Sequence, residues 1–479
     1  MLYQNVSKYG LATHLALAAA LPAALAQFVS GSMLAVVTLW MSLGAVIWLL
    51  MEPSVLSGET ISGARARVLS RISRDRLAWF LAVAVLFALA RWLNNGVRLA
   101  FDAETSVWAV SEPTFTFLPA STGEAGLFPL ALAVLMAVVI LGVKHGLGRN
   151  ARIWFGIAAG AVSATGAVAA AIHAGLDMEP FRSEACAVFG APCFHGSMYA
   201  LFLPAAVACG FQAEGCGMTK SRLVFAWAVA GNSLGTYFFL PGMLGTAYLA
   251  ISALIAVLSI AVLKIRSGAA SAARAASMLA FGVIVAVFTS ILLPSTAVQE
   301  SKAAAFDVEK AFPPALADRN EALTRIAKAI WLEHPWSGAG AGAFVLQAPF
   351  AAGKDDWTVL PPRPSIGPDG YLTLMAERGI AGALLCLVGV GFLLQFWISR
   401  LIGSFAYQKL QDEGRSWFLN VPVVVWVGPL VLLGFLADAW FSSGFLLTGL
   451  PACVASALPL AAASFPKVKR NVENEEKEK

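Results

Sequence analysis

The sequence predicts an all-α integral membrane protein with about 12 transmembrane helices and a long outward-facing loop between spans 9 and 10. Three observations carry this expectation. The chain is 58% hydrophobic and only 13% charged, with a mean hydropathy of +0.74, which excludes an ordinary soluble multidomain protein. Its apolar residues gather into runs of about 20, the length needed to cross a hydrocarbon core of roughly 30 Å. Its cations gather on alternate connections between those runs, as the positive-inside rule requires of a multi-pass chain.

In chain order, the apolar runs centre near residues 20, 42, 85, 133, 164, 207, 231, 253, 286, 384, 430 and 453. Nine spans therefore occupy 1–297, a polar loop occupies 298–370, three more spans occupy 371–465, and a charged tail fills 466–479. The inside connections hold Arg65, Arg67, Arg71, Arg74 and Arg76, then Lys144, Arg149 and Arg152, then Lys220 and Arg222. They continue with Lys264, Arg266 and Arg274, then Arg400, Lys409 and Arg415, and finally Lys467, Lys469 and Arg470. The turns near Gly31 and Pro241 carry no charge, and loops 94–123 and 177–197 carry few cations. Both termini are thus expected inside, with loop 298–370 outside. The tail, charged and without apolar spacing, reads as a disordered end.

Other global features narrow the function. A net charge of +5 is small for so long a chain and gives no reason to expect nucleic acid. No metal-ligand spacing and no cofactor motif is present. Six cysteines are too few for a disulfide framework. Cys209, Cys216, Cys386 and Cys453 lie in apolar runs as packing residues, whereas Cys186 and Cys193 share a polar loop where one local bridge is feasible in an oxidising compartment. No cleavable signal peptide is expected, because a second apolar run follows the first almost at once. The absence of an internal repeat counts against a transporter built from inverted halves.

The polar loop has internal order. Leu323, Ile326, Ala327, Ile330 and Trp331 recur at helical spacing, with Arg319, Arg325 and Lys328 among them. This predicts an amphipathic helix over 320–333 on the membrane surface, its cations free to face an anion. Glu333-His334-Pro335-Trp336 follows, then Gly338-Ala339-Gly340-Ala341-Gly342-Ala343-Phe344. The glycine run lacks the Lys-Ser/Thr ending of a phosphate loop and is expected to be a flexible turn that lets backbone approach a ligand. The chain returns to the membrane through Pro368-Asp369-Gly370-Tyr371-Leu372 and Ala376-Glu377-Arg378-Gly379-Ile380-Ala381-Gly382.

This order of elements resembles the O-antigen ligase and O-antigen polymerase superfamily. In that family an arginine, an amphipathic helix, an acidic residue with His-Pro or Asn-Pro and a glycine-rich turn closing on an aromatic precede the next span. The segment from Phe194-His195-Gly196-Ser197 to Leu203 resembles the family's start of the sixth span. Two positions depart from the family pattern. Pro368 stands where the family has a histidine, and Leu240-Pro241-Gly242 stands where it has Ser-Arg-Gly.

The resemblance implies a bacterial inner-membrane protein whose 298–370 loop is periplasmic and whose termini are cytoplasmic. It also implies transfer or polymerisation of glycan from a polyprenyl-pyrophosphate carrier to a glycan or glycolipid acceptor, in cell-surface polysaccharide biosynthesis and without a cofactor. Arg319 is then the leading candidate for the pyrophosphate, with Arg325, Lys328 and Arg363 as helpers, because a guanidinium fork matches phosphate oxygens. The plain alternative is a set of solvated cations. Asp369 is a candidate base or simply half of an Asp-Gly turn. His195 is a candidate for a hydrogen bond or proton transfer at the same cavity, or an interfacial packing residue. His334 packs or caps its helix. Glu214, Glu377 and Asp438 lie in or beside apolar runs, where an ionisable group needs a cavity or a partner, and Glu377 with Arg378 is expected as a structural pair. Two rival readings remain: a non-catalytic relative that binds lipid-linked glycan as scaffold or regulator, and a polysaccharide-precursor transporter.

Overall fold

The computed structural model describes residues 2–25, 31–57, 61–111, 115, 119–122, 126–175, 192–239, 242–292, 314–356, 370–411 and 436. Helices dominate. They are α1 Leu2–Leu25, α2 Gly31–Ser57, α3 Ile61–Ser73, α4 Arg76–Leu93, α5 Leu127–Leu141 and α6 Arg149–Gly175. The series continues with α7 Pro192–Gly215, α8 Arg222–Phe239, α9 Gly242–Ser267, α10 Ala269–Leu292, α11 Pro314–Glu333, α12 Ala343–Ala351 and α13 Gly370–Gln411, the last kinked at Gly379, whose backbone is not helical. Ten of the expected apolar centres fall inside these helices, and those near 430 and 453 lie outside the described residues.

Among the described residues, six stretches are long and apolar enough to cross a membrane: Met33–Leu50, Arg76–Leu93, Leu127–Gly146, Asn150–Ile172, Ala269–Leu292 and Gly370–Phe392. The chain is a helical membrane protein. Where a soluble helix would turn polar groups outward, α4 shows Trp79, Val83 and Leu86, and α10 shows Phe281, Ile284, Phe288 and Ile291. Apolar surface on that scale is at home only in lipid.

Between these helices the packing relies on small residues. In α6, Gly160 leaves only 2.8 Å from a would-be Cβ to Ala206 of α7, and Gly231 of α8 leaves 2.4 Å to Ala164. Helix backbones can approach this closely only without side chains between them, which is how helices associate in lipid. Asn232 adds one polar tie. Its amide donates to the Gly160 and Ala228 carbonyls, both at 2.9 Å, while its oxygen accepts from Ser163 at 3.0 Å.

Ionic clusters close the helix ends. Glu214, buried at the end of α7, accepts from Arg222 at 3.1 Å and from Arg274 at 2.9 Å, which supplies the partner its position demanded. Asp75 caps α4 by accepting from the Leu77 N–H at 3.1 Å, and it also holds Lys144 at 2.6 Å and His145 at 2.8 Å. Burial pushes the Asp75 carboxyl up, but the Lys144 and His145 hydrogen bonds outweigh it and leave it below the ordinary 3.8.

Two features were not expected, and the first departs from an all-α fold. Leu99–Asp102 and Val107–Val110 form an antiparallel hairpin, β1–β2, with Phe101 opposite Trp108 and both rings exposed. The β-favouring residues Leu99, Phe101, Val107 and Val110, too few for a span, flank the turn Ala103–Ser106. In addition, α3 is a short helix of its own within what looked like a basic connection.

A second, smaller core lies apart from the helix bundle. It joins Val97 and Ala120 from the segment after α4, Ala322, Leu323, Ile326, Ala327 and Ile330 from α11, Phe344 and Ala348 from α12, and Ala376 from α13. The apolar stripe expected to lie on lipid is therefore turned into protein. The helix is also longer than expected, beginning at Pro314, where a proline suits the first helical position.

Candidate functional site

The site is the junction where α4 ends, the glycine run passes and α13 begins. Its geometry follows from two glycines. Gly338 has φ +69° and Gly379 has φ +61°, a left-handed region that disfavours residues with a Cβ. A Cβ on Gly338 would sit 2.3 Å from the Arg378 nitrogen, and one on Gly379 would sit 2.4 Å from the Trp336 carbonyl oxygen. The two segments therefore touch backbone to backbone.

They are also joined by hydrogen bonds. The Ala339 N–H donates to Ala376 O at 2.9 Å and the Gly340 N–H to Glu377 O at 3.1 Å. In return, Ile380 N–H donates to Pro335 O at 2.9 Å and Ala381 N–H to Trp336 O at 3.1 Å. A third segment joins through Ala341 N–H to Ala120 O at 3.0 Å and Thr122 N–H to Ala341 O at 2.9 Å. The amides of 338–341 are all engaged within the chain, and Gly342 and Phe344 donate to the Glu377 carboxylate. The run is thus no cradle for phosphate and no loose turn: what its glycines allow to come close is α13 itself.

Three charged side chains converge here. Arg91, in the last turn of α4, is only 3% exposed and lies over the Phe87 ring at 5.6 Å. Its Nε donates to Ala120 O at 3.0 Å and its Nη2 to Glu377 O, so it ties the segment after α4 to the start of α13. Its Nη1 is buried with no hydrogen-bond partner among the described residues. Glu377 is 7% exposed, and its carboxylate caps the N-terminus of α12, whose own N-cap residue Gly342 has no side chain to offer. Of the expected structural pair, Arg378 acts on Glu377 through charge, while the carboxylate's hydrogen bonds go to the head of α12. Arg378 is half-buried, its stem lying over Gly382, where a Cβ would meet the Arg378 Cβ at 2.4 Å. Its Nε is buried with no hydrogen-bond partner among the described residues.

Asn94, fully buried, shapes the connection from α4. Its amide donates to Phe115 O at 2.8 Å, its oxygen accepts from Phe115 N–H at 3.1 Å, and its carbonyl accepts from Ser121 N–H at 3.1 Å. Ser121 also returns a hydrogen bond to Arg91 O at 2.8 Å. Further along, the Tyr371 hydroxyl donates to Leu436 O at 2.7 Å.

The residues singled out in the sequence are placed as follows. Arg319 is in the second turn of α11 and His195 is in the first turn of α7, while their side chains lie outside the described residues. Asp369, Arg363, Pro368, Pro241 and Asp438 also lie outside them, although Asp369 directly precedes α13. Arg325 is not a free cation: it donates to Glu321 at 2.9 Å and to buried Asp356 at 2.6 Å. The Arg325 hydrogen bond holds the Asp356 carboxyl below the ordinary 3.8, against the push of burial. Lys328 is exposed and makes no ion pair among the described residues. His334 is exposed, and its carbonyl closes a turn by accepting from Gly338 N–H at 2.9 Å. Cys193 begins α7, but its candidate bridge partner Cys186 lies outside the described residues.

Arg91 was missed by motif reasoning. Its signal was present all the same, as a lone arginine within the apolar run Leu86–Leu93, a position where an ionisable group marks a site by default. No protein-family model matches the chain, and no curated protein matches it.

Proposed function

We propose that the chain is a membrane glycosyltransferase-like protein of the O-antigen ligase and polymerase type. It has about 12 spans, cytoplasmic termini and a periplasmic 298–370 loop in the bacterial inner membrane, an orientation supported by the distribution of Lys and Arg. It transfers or polymerises glycan carried on a polyprenyl pyrophosphate. The observation that carries this reading is the convergence of the resembling motifs. The helix bearing Arg319, the glycine run and the Ala376–Gly382 start of α13 form one packed unit instead of three separate loops.

In this reading Arg319, with Lys328 and Arg363, neutralises charge on the departing pyrophosphate. Asp369 or His195 takes the acceptor hydroxyl proton as the glycosidic bond forms. Arg325 is already committed to Asp356 and supports the fold more than the substrate. Purified protein supplied with lipid-linked oligosaccharide is expected to make glycan product, and Arg319→Ala is expected to abolish it. Unchanged turnover in that variant removes the assigned role.

A second reading has its own support in Pro368 and Pro241, which occupy positions where the resembling family is polar. A non-catalytic relative would bind lipid-linked glycan without turnover, and Asp369→Asn and His195→Ala would then leave binding intact.

A further inference from the structure

We propose that Arg91 and Arg378 form a binding site for a phosphate-type oxyanion at the junction of α4 and α13. The site is separate from Arg319 and independent of the transferase reading.

The argument begins with charge. Arg91 Nη2 donates to the Glu377 carbonyl and Arg378 is the next residue along, so two arginines and one carboxylate, Glu377, share this junction. That carboxylate is occupied, because it accepts from the Gly342 and Phe344 amides at the positive end of α12. Its field is shared between a helix terminus and two cations. Among the described residues Glu377 is the only acid acting on Arg91, so positive charge stays in excess at a buried place. An excess charge away from water is strongly destabilising unless a counter-ion is present.

Unused donors give the second line. Arg91 is 3% exposed, yet its Nη1 makes no hydrogen bond, and the buried Nε of Arg378 makes none either. Buried donors are nearly always satisfied in native proteins, so two orphans on neighbouring guanidinium groups point to an acceptor with several oxygens. The remaining donors of Arg91 are fixed on Ala120 O and Glu377 O, which holds its fork rigid. Gly382 keeps a lane open for the Arg378 stem. A phosphate or diphosphate offers the negative charge and the spread of acceptors that this pair lacks. Such a group reaches a membrane junction as a lipid headgroup, as the diphosphate of an isoprenoid, or free in water.

The test uses full-length protein purified in a neutral detergent, with Arg378→Gln as the principal variant. Arg378 makes no side-chain hydrogen bond to described residues, so this variant is expected to fold, and its melting temperature without ligand should equal or exceed that of the wild type. Binding is measured by calorimetry with inorganic pyrophosphate and with farnesyl pyrophosphate. It is also measured by native mass spectrometry from phosphatidylglycerol nanodiscs. The wild type is expected to bind at least one probe saturably at one per chain, and Arg378→Gln to weaken it by about tenfold or more, the value of a charge-assisted hydrogen bond.

Saturation by pyrophosphate identifies a site open to free anions. Response to farnesyl pyrophosphate alone identifies an isoprenoid diphosphate site, and a retained phosphatidylglycerol adduct alone identifies a headgroup site. Arg91→Lys, which keeps the charge but loses the fork, is expected to bind more weakly while keeping the salt sensitivity. Absence of saturable binding with every probe, or equal binding by wild type and Arg378→Gln, overturns the proposal. Binding without glycan transfer retains the site and removes the transferase reading, so the two fail separately.

Discussion

The helix bundle and the junction solve the problem of packing in opposite ways. In the bundle, α6, α7 and α8 meet through Gly160, Gly231 and neighbouring alanines, and buried Asn232 uses both its amide nitrogen and its oxygen in hydrogen bonds. In the junction, shape is set by backbone amides exchanged between segments far apart in sequence, and two buried cationic donors are left unused. Among the described residues, unpaired buried polar atoms occur in both regions, at His14 Nε2 and Ser259 Oγ in the bundle and at Arg91 Nη1 and Arg378 Nε in the junction. The difference is charge: the junction's unused donors belong to guanidinium groups, where an anion has something to gain.

Four measurements break or sharpen this contrast. The largest effect is expected for Gly379→Ala, which combines φ +61° with a 2.4 Å collision against a carbonyl oxygen. It should lower stability by at least about 2 kcal/mol and expose the 334–343 amides to hydrogen exchange. Unaltered exchange there would mean that the junction is not held by backbone contact.

Glu377→Gln comes next. The amide keeps an acceptor for α12 but loses its charge, so helix-end stability should fall by about 1 kcal/mol while affinity for pyrophosphate rises. A fall in affinity would show that Glu377 helps to shape the anion site more than it opposes an anion. Asn232→Ala, in the bundle, should cost about 1 kcal/mol, the modest value of polar ties between helices in lipid, without changing anion binding. A coupled loss of binding would erase the distinction between the regions.

The smallest effect concerns acid. The Asp356 carboxyl is depressed by Arg325, so its contribution is complete above the ordinary 3.8 and is lost as pH falls through the lower folded value. Protection of the 353–356 turn should therefore be flat from neutral pH down to about pH 4 and drop below it, and Arg325→Gln should abolish that drop. A transition near neutrality would assign the turn to some other group.

Much of the bundle was legible because its determinants are local. Runs such as Leu127–Gly146 have the length and apolarity of a membrane-crossing helix, and ten apolar centres landed inside helices. The α11 helix was legible too, from the spacing of Leu323, Ile326 and Ile330, but not what covers that stripe, since its partners Val97, Phe344 and Ala376 come from three separate segments. The glycine run illustrates the same limit. Its positive φ angles were foreseeable from composition, whereas the identity of the backbone it approaches depends on a pairing across 40 residues. Arg91 was overlooked because its partners, Ala120 and Glu377, are 29 and 286 residues away. The hairpin escaped notice because four-residue strands are invisible beside twenty-residue apolar runs.

The amide exchange between 335–340 and 376–381 has a mechanical corollary. Four hydrogen bonds run in both directions across the seam, so the polar unit and the lipid-embedded helix resist sliding past one another. With Glu377 seated on the head of α12 and Arg91 bonded to the same stretch of backbone, the 370–378 part of α13 is tied to α12 and to the end of α4. The break at Gly379 falls inside this seam, so the four hydrogen bonds clamp both arms of the helix across its kink.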